Sequence, residues 1–167
     1  KWDTEKYVKE YNFLLNNDKS NVNWYILRYA DVLLMYAEAL NEWHHGPNNA
    51  ALAALNMVRR RGYGLPYNEA NTTVDLKSTS YEGFQEYIRN ERAYELAFEG
   101  NRRQDLIRWG IYYETIVNTY IKLIGWYPEA NYVAYQYTQK NKHELLPIPA
   151  RDMSLMENFK QNQGWGD

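Results

Sequence analysis

Residues 84–109, FQEYIRNERAYELAFEGNRRQDLIRW, decide how this chain folds. At 100° per residue, one face of a helix collects five apolar side chains, and Glu91 and Glu95 fall in the middle of that face. The five are Phe84, Tyr87, Ile88, Tyr94 and Phe98. A buried charge without a partner costs on the order of several kcal/mol. The stretch therefore predicts a helix whose two carboxylates are neutralised inside the protein.

Arginine side chains are the expected partners of these carboxylates, because a planar guanidinium can bind a carboxylate through two hydrogen bonds. Arginine is abundant within the stretch and also occurs at position 28, on the first predicted helix. We predict a structural ion-pair network without a metal. Its members are Arg28, Glu91, Arg92, Glu95, Arg102, Asp105 and Arg108.

A pair of neighbouring carboxylates has a second interpretation, as the acid and the nucleophile or base of a glycosidase. Glycosidase carboxylates usually come from separate elements that face a cleft, whereas Glu91 and Glu95 belong to one apolar stripe of one helix. We therefore favour ion pairs over catalysis, predict no catalytic residue, and expect that the protein is not an enzyme.

The composition excludes several classes of site. The chain has 167 residues and a net charge of −2, which gives no electrostatic reason to expect nucleic acid or an anionic membrane surface as a partner. It has no cysteine, so disulfides, thiolate zinc sites and cysteine nucleophiles are ruled out. No phosphate loop or dinucleotide fingerprint is present, and His44, His45 and His143 do not form a convincing metal site. We predict no cofactor.

Hydrophobic periodicity predicts an all-α fold, made of a tetratricopeptide-like helical hairpin plus packed helices with long irregular loops. The predicted helices cover about 24–43, 49–61, 81–99 and 102–124, with a bend at Gly110 as an option. Residues 1–22 are polar, with a loop at 16–21. The remaining residues, 125–167, are expected to be irregular apart from a short strand or hairpin near 126–139, an extended stretch before the prolines and one or two helical turns after them.

The first predicted helix carries two neighbouring apolar stripes. One contains Ile26, Tyr29, Leu33, Tyr36, Leu40 and Trp43, and the other contains Leu27, Ala30, Leu34 and Ala37. A helix with such a wide apolar arc is expected to pack on at least two sides.

Capping residues mark the ends of the predicted helices. Asn48 or Asn49 caps the second helix, Thr79 with Glu82 forms a capping box for the third, and Gly100 ends the third.

The second helix closes with three arginines, at positions 59–61. The helix dipole alone is sufficient to explain basic residues at this negative end.

Three motifs in order resemble the SusD/RagB family. YILRYADVLLMYAEALNE (25–42) with ALAALNMVRRRGYG (51–64) resembles the helical hairpin of that family. FQEYIRNERAYELAFEGNRRQDLIRWG (84–110) is similar to its most recognisable segment. ELLPIPARDMSLMENFKQNQGW (144–165) is similar to its usual carboxyl terminus, with Gln163 where the family typically has proline.

This resemblance implies a chain that is the carboxyl-terminal part of a longer protein, since family members are much longer. It implies a surface-exposed outer-membrane lipoprotein, whose lipid anchor lies outside this segment. Such proteins bind oligosaccharides, sometimes peptides, and pass the ligand to a SusC-like TonB-dependent transporter. The expected partners are therefore the oligosaccharide, the transporter and the missing amino-terminal part of the same chain.

A glycan platform needs exposed aromatic rings with amides close by, because sugar rings stack on aromatic faces and their hydroxyls take hydrogen bonds. Residues 125–141 fit this pattern best, and Tyr63 and Tyr67 are second choices. The predicted ligand-binding residues are Trp126, Tyr127, Asn131, Tyr132, Tyr135 and Tyr137.

Two other functions stay open at this point. A helical protein-interaction module would be favoured if the 125–141 aromatics were buried, and a carbohydrate-active enzyme would require Glu91 and Glu95 to open on a cleft. Starch, other plant glycans, host glycans and peptides are all compatible ligands.

Overall fold

A computed structural model describes residues 25–155 and 158–166 of the chain. These residues divide into two compact units, with the boundary between Gly100 and Asn101. Over the described residues all regular secondary structure is helical, and no strand occurs, so the predicted all-α class is confirmed. The predicted irregular start, with its loop at 16–21, lies outside the described residues.

The described residues of the first unit, 25–100, form three helices, α1 (Tyr29–His44), α2 (Asn49–Gly62) and α3 (Tyr81–Glu95). Only residues 45–48 join α1 to α2, which makes this pair a helical hairpin. Helix α1 packs against both α2 and α3, and α2 also contacts α3. The fully buried side chains at the centre of this core are Leu34, Leu55, Phe84 and Ile88.

Helix α1 begins later and buries a different face than the sequence predicts. Residues 25–28 precede the helix, and Arg28 is an extended residue at its amino-terminal cap. The first predicted stripe is largely solvent-facing, with Tyr29 68% and Trp43 81% exposed. The buried face instead combines the second stripe with polar groups, and its members are Asp31, Leu34, Ala37, Glu38 and Asn41. Polar partners on the neighbouring helices make this arrangement favourable, since buried polar groups are stable when they are hydrogen-bonded.

Helix α3 is shorter than the predicted 81–99 and has a different cap. The cap is Ser80 and not Thr79, because the Ser80 side chain accepts a hydrogen bond from the Gly83 backbone N–H at 3.1 Å. The helix ends at Glu95, and Phe98 and Gly100 both have positive φ, so the chain leaves the helical path before Gly100.

Side-chain hydrogen bonds fix both the start of α2 and the loop that follows it. Asn48 caps its start by accepting from the Ala51 N–H at 2.9 Å, which confirms one of the two predicted caps. After α2, a long loop is fastened back onto the helix. Asn56 donates to the Leu76 carbonyl at 3.0 Å and accepts from the Leu76 N–H at 2.8 Å. Arg60 binds both oxygens of Asp75, at 2.6 and 2.5 Å.

In the second unit, the residues that the structure describes form four helices, α4 (Arg102–Arg108), α5 (Tyr112–Trp126), α6 (Val133–Tyr137) and α7 (Ala150–Leu155). The predicted helix 102–124 is therefore two helices. Gly110 lies between them in the left-handed region, with φ +68°, and its N–H donates to the Ile107 carbonyl. Glycine adopts this conformation at little cost, which explains a complete break where a bend was expected.

The predicted strand or hairpin near 126–139 is wrong. The region forms the short helix α6, in which the backbone N–H of Tyr135 donates to the Tyr132 carbonyl at 3.0 Å. The ring of Tyr135 stacks on Tyr120 of α5, with centroids 4.0 Å apart and an interplanar angle of 8°. Aromatic residues favour strands through packing on a pleated surface, and here they pack on a helix instead.

The hydrogen bonds between Asn56 and Leu76 can be tested by mutation. We expect Asn56→Ala to lower the free energy of unfolding by about 1–3 kcal/mol, because it leaves the partly buried N–H and carbonyl of Leu76 without their partner. Chemical denaturation measures this change. Asn49→Ala, at an exposed position of the same helix, is the matched control. Equal stabilities for the two variants would contradict the account of the loop.

Candidate functional site

The carboxylate of Glu95 lies where the three helices of the first unit meet. It is 7% exposed. Arg28, at the start of α1, and Arg61, near the end of α2, both donate hydrogen bonds to this carboxylate. Arg28 Nη2 also donates to the backbone carbonyl of Glu95 at 2.6 Å, which satisfies an acceptor at the carboxyl end of α3.

Arg28 extends this cluster to a second acid. Its Nε and Nη2 atoms donate to the two carboxylate oxygens of Glu99 at 2.9 and 2.8 Å. One guanidinium thus binds two buried carboxylates, that of Glu95 at the end of α3 and that of Glu99 in the segment after it. Parallel hydrogen bonds of this kind fix geometry as well as charge.

Two other charged groups of α3, Glu91 and Arg92, also have partners on neighbouring helices. Glu91 Oε2 accepts from Arg59 Nη1 of α2 at 3.0 Å. Arg92 Nη1 donates to Asp31 Oδ1 of α1 at 2.7 Å, and both of these side chains are almost fully buried. These charges on α3 are therefore matched to charges on α1 and α2.

Three members of the predicted network belong to the second unit. Arg108 Nε donates to Asp105 Oδ1 at 3.0 Å, one turn away on α4. The guanidinium groups of Arg102 and Arg108 lie 5.7 and 4.7 Å from the ring centroid of Trp109, in positions for cation–π attraction. The structure thus divides the predicted set between two compact units.

The sequence interpretation missed the partners that α2 contributes. The helix dipole does not account for the arginines at 59–61, because each one contacts a different acid: Arg59 binds Glu91, Arg60 binds Asp75 and Arg61 binds Glu95. Three consecutive arginines point in three directions around a helix. An acidic stripe on a later helix was the signal that could have indicated these contacts.

A cleft of about 620 Å³ opens beside these carboxylates, between the end of α2 and the outer part of α3. Glu91 and Glu95 both line it, so the two acids do reach an open space. Tyr63, Tyr87 and Tyr94 supply aromatic walls. A glycosidase would need one of the acids free for covalent or base chemistry, whereas Glu95 is bound by two guanidinium groups.

Burial raises the pKa of Glu91 above its ordinary value, with a smaller contribution from the nearby charge of Glu95. The hydrogen bond and the positive charge of Arg59 oppose this rise without cancelling it. Glu91 is therefore a carboxyl group whose charged form is costly in the folded protein.

The six predicted ligand-binding residues all lie in the second unit, on the end of α5 and around α6. Trp126 is 74% exposed, Tyr127 65% and Tyr137 71%. Asn131 is also exposed, whereas Tyr132 is half-buried. Tyr135 gives one face of its ring to Tyr120.

The described residues contain neither a metal-binding cluster nor a membrane-spanning helix. Within 25–155 and 158–166, no group of three or more histidine and carboxylate side chains is arranged to hold a metal ion. None of the helices in that part of the chain combines the length and the apolar character needed to cross a bilayer.

Comparison with known proteins decides the family. The model of the SusD family matches residues 1–165. The chain belongs to the SusD family.

Two relatives within the SusD family come from Formosa agariphila. The SusD-like protein P25 of this organism is 37% identical over 147 residues, which is 86% of this chain and 25% of that protein. The SusD-like protein P2 of the same organism is 30% identical over 151 residues, covering 88% of this chain and 26% of that protein. This chain thus spans about a quarter of the length of these relatives.

A solved SusD structure has the same fold. The crystal structure of a SusD homolog from Bacteroides thetaiotaomicron VPI-5482 superposes with a TM-score of 0.79 at 56% sequence identity. The match covers 90% of this chain and 29% of that chain. The resemblance stated from the three sequence motifs is confirmed.

The raised pKa of Glu91 generates a test. The folded protein binds a proton at Glu91 more tightly than the unfolded chain, so this group lowers stability as pH rises from about 4.5 through its folded pKa. A glutamine side chain in its place would not titrate. We therefore expect the stability of Glu91→Gln, relative to the parent protein, to rise between about pH 4 and pH 7.

Denaturation with urea across this pH range measures the difference. The matched control is Glu86→Gln, the same substitution at an exposed position on the same helix. A relative stability of Glu91→Gln that falls with rising pH would show that Arg59, and not burial, dominates the pKa.

Proposed function

We propose that this chain is part of a surface glycan-binding component of a TonB-dependent nutrient uptake system. In this role the protein captures an oligosaccharide outside the cell and passes it to a SusC-like transporter. Membership of the SusD family supports the proposal, together with the match to a SusD homolog at 56% identity. The implied location is the outer membrane, as a lipoprotein anchored through a segment outside this chain.

The observation that best supports a binding site in this part of the protein is the exposure of its aromatic side chains. Trp126, Tyr127 and Tyr137 are all more than half exposed around α6, with the amide of Asn131 also at the surface. Exposed clusters of large apolar rings often mark a contact surface. Rings beside an amide suit a sugar, whose C–H faces stack and whose hydroxyls form hydrogen bonds.

The arrangement of charge supports a binding protein and not an enzyme. Glu91 and Glu95 border a cleft, as the enzyme hypothesis required, but arginines hold both of them. An acid in a buried ion pair is costly to free, because removal of its partner leaves an uncompensated charge. These carboxylates therefore fit a structural role.

The exposed aromatics also weigh against a helical module that binds only proteins through buried rings. That hypothesis required the aromatics of 125–141 to be buried, and Trp126 is 74% exposed.

A glycan array on the intact protein that carries this chain tests the proposal, followed by isothermal titration calorimetry with the oligosaccharides that bind. We expect Trp126→Ala to weaken binding about tenfold or more, as expected for loss of an aromatic anchor. Trp43→Ala is the matched control, since Trp43 is 81% exposed and belongs to the other unit.

Absence of binding to every oligosaccharide would overturn the proposed function. Binding that is unchanged in Trp126→Ala would move the ligand contacts away from α6.

A further inference from the structure

The cleft between α2 and α3 has the size and the lining of a ligand pocket. Its volume of about 620 Å³ lies within the range of roughly 300–1,000 Å³ that is usual for small-molecule sites. Its walls combine aromatic rings with a few polar groups, which is the composition expected for such a site.

Helix α3 supplies most of this lining from one stripe. Tyr87, Asn90, Glu91 and Tyr94 occur at positions i, i+3, i+4 and i+7, so they lie along one face. A ring, an amide and a carboxyl group are therefore held in fixed order by a rigid helix. Tyr94, at the outer end of this face, is 71% exposed.

Helix α2 and the residue that follows it supply the opposite wall through Arg59 and Tyr63. Tyr63 is 61% exposed, and the guanidinium of Arg59 lies 5.2 Å from its ring centroid. The same guanidinium binds Glu91 Oε2 at 3.0 Å. Arg59 thus ties the aromatic wall at the end of α2 to the carboxyl group of α3.

Glu91 retains one acceptor for a ligand. Its side chain is buried, with the residue 7% exposed, and it lines the cleft. Arg59 occupies Oε2, while Oε1 accepts no hydrogen bond from the part of the chain that the structure describes. This oxygen is therefore available to accept a hydrogen bond from a ligand hydroxyl in the cleft.

The charges around the cleft nearly cancel. Arg59 offsets Glu91, while Arg28 and Arg61 offset Glu95. An anionic ligand would meet the carboxylates of Glu91 and Glu95, and a cationic ligand would meet the guanidinium of Arg59. The lining therefore suits a neutral ligand with many hydroxyl groups.

We propose that this cleft is a second oligosaccharide subsite, in which a neutral sugar ring stacks on Tyr94 and a hydroxyl donates to Glu91. The Asn90 amide, one turn before Tyr94, supplies a further hydrogen bond to the same ring. This inference rests on the proposed function, because it gives a glycan-binding protein a contact surface in its first unit.

Calorimetric titration of the intact protein tests the subsite. The probes are neutral hexasaccharides of glucose, xylose, mannose and galactose, with hexagalacturonate as the anionic comparison. We expect Tyr94→Ala to bind a neutral probe about tenfold more weakly than the parent protein. Tyr94→Phe keeps the ring and is expected to stay within about threefold of the parent.

Tyr36→Ala is the matched control for loss of an exposed tyrosine. Tyr36 lies on α1 of the same unit, is 49% exposed and does not line the cleft. Its affinity is expected to match that of the parent protein. Circular dichroism of all variants checks that each one is folded.

The outcomes separate the subsite from the proposed function. Binding that is lost in Trp126→Ala but unchanged in Tyr94→Ala overturns the subsite and leaves the function standing. Binding of hexagalacturonate alone also overturns the subsite, because the charge argument fails. Absence of binding to all of these probes, with binding of another oligosaccharide in the glycan array, overturns the subsite alone, and absence of binding to every oligosaccharide overturns both.

Discussion

The first unit depends on the neutralisation of acids at the end of α3. Glu95 and Glu99 are nearly buried, and Arg28 binds both of them from the start of α1. Arg61 binds Glu95 from the end of α2. Three helix ends are thus joined at one cluster of charge. A carboxylate left there alone would cost on the order of several kcal/mol, so the arrangement is stable only when the three helices are correctly placed.

This requirement also explains why the buried face of α1 is not its most apolar face. Asp31 must reach Arg92, and Asn41 donates to the Tyr81 carbonyl at 3.2 Å, so the polar side of α1 faces the core. The aromatic side, with Tyr29 and Trp43, faces outward as a consequence. Specific polar contacts, more than the total apolar area, set the rotation of this helix.

The same ion pairs shape the proposed binding surface. Arg59 holds Glu91 at the base of the cleft and stacks on Tyr63 at its wall. A site built from helix side chains that are already fixed by ion pairs is preorganised, and preorganisation reduces the entropy cost of binding. Acids that look like a catalytic pair in sequence thus fit a different task, which is to position an aromatic wall and offer one acceptor.

The sequence was sufficient to predict the all-α class, the kind of partner for Glu91 and Glu95, and a cap at one of two neighbouring residues, Asn48 or Asn49. It could not identify Arg59 and Arg61 as partners, because the direction of side chains at a helix end depends on where the next helix packs. The break at Gly110 and the helix at 133–137 were also underdetermined. Glycine permits a bend or a full stop, and an aromatic-rich segment suits a strand or a packed helix equally well.

A double-mutant cycle on Arg28 and Glu95 tests the central claim most directly. The free energy of unfolding is measured by chemical denaturation for the parent protein, Arg28→Ala, Glu95→Ala and the double variant. The account predicts that both single changes destabilise the protein and that their effects are coupled by about 1–3 kcal/mol. Single variants as stable as the parent, or losses that simply add, would contradict it.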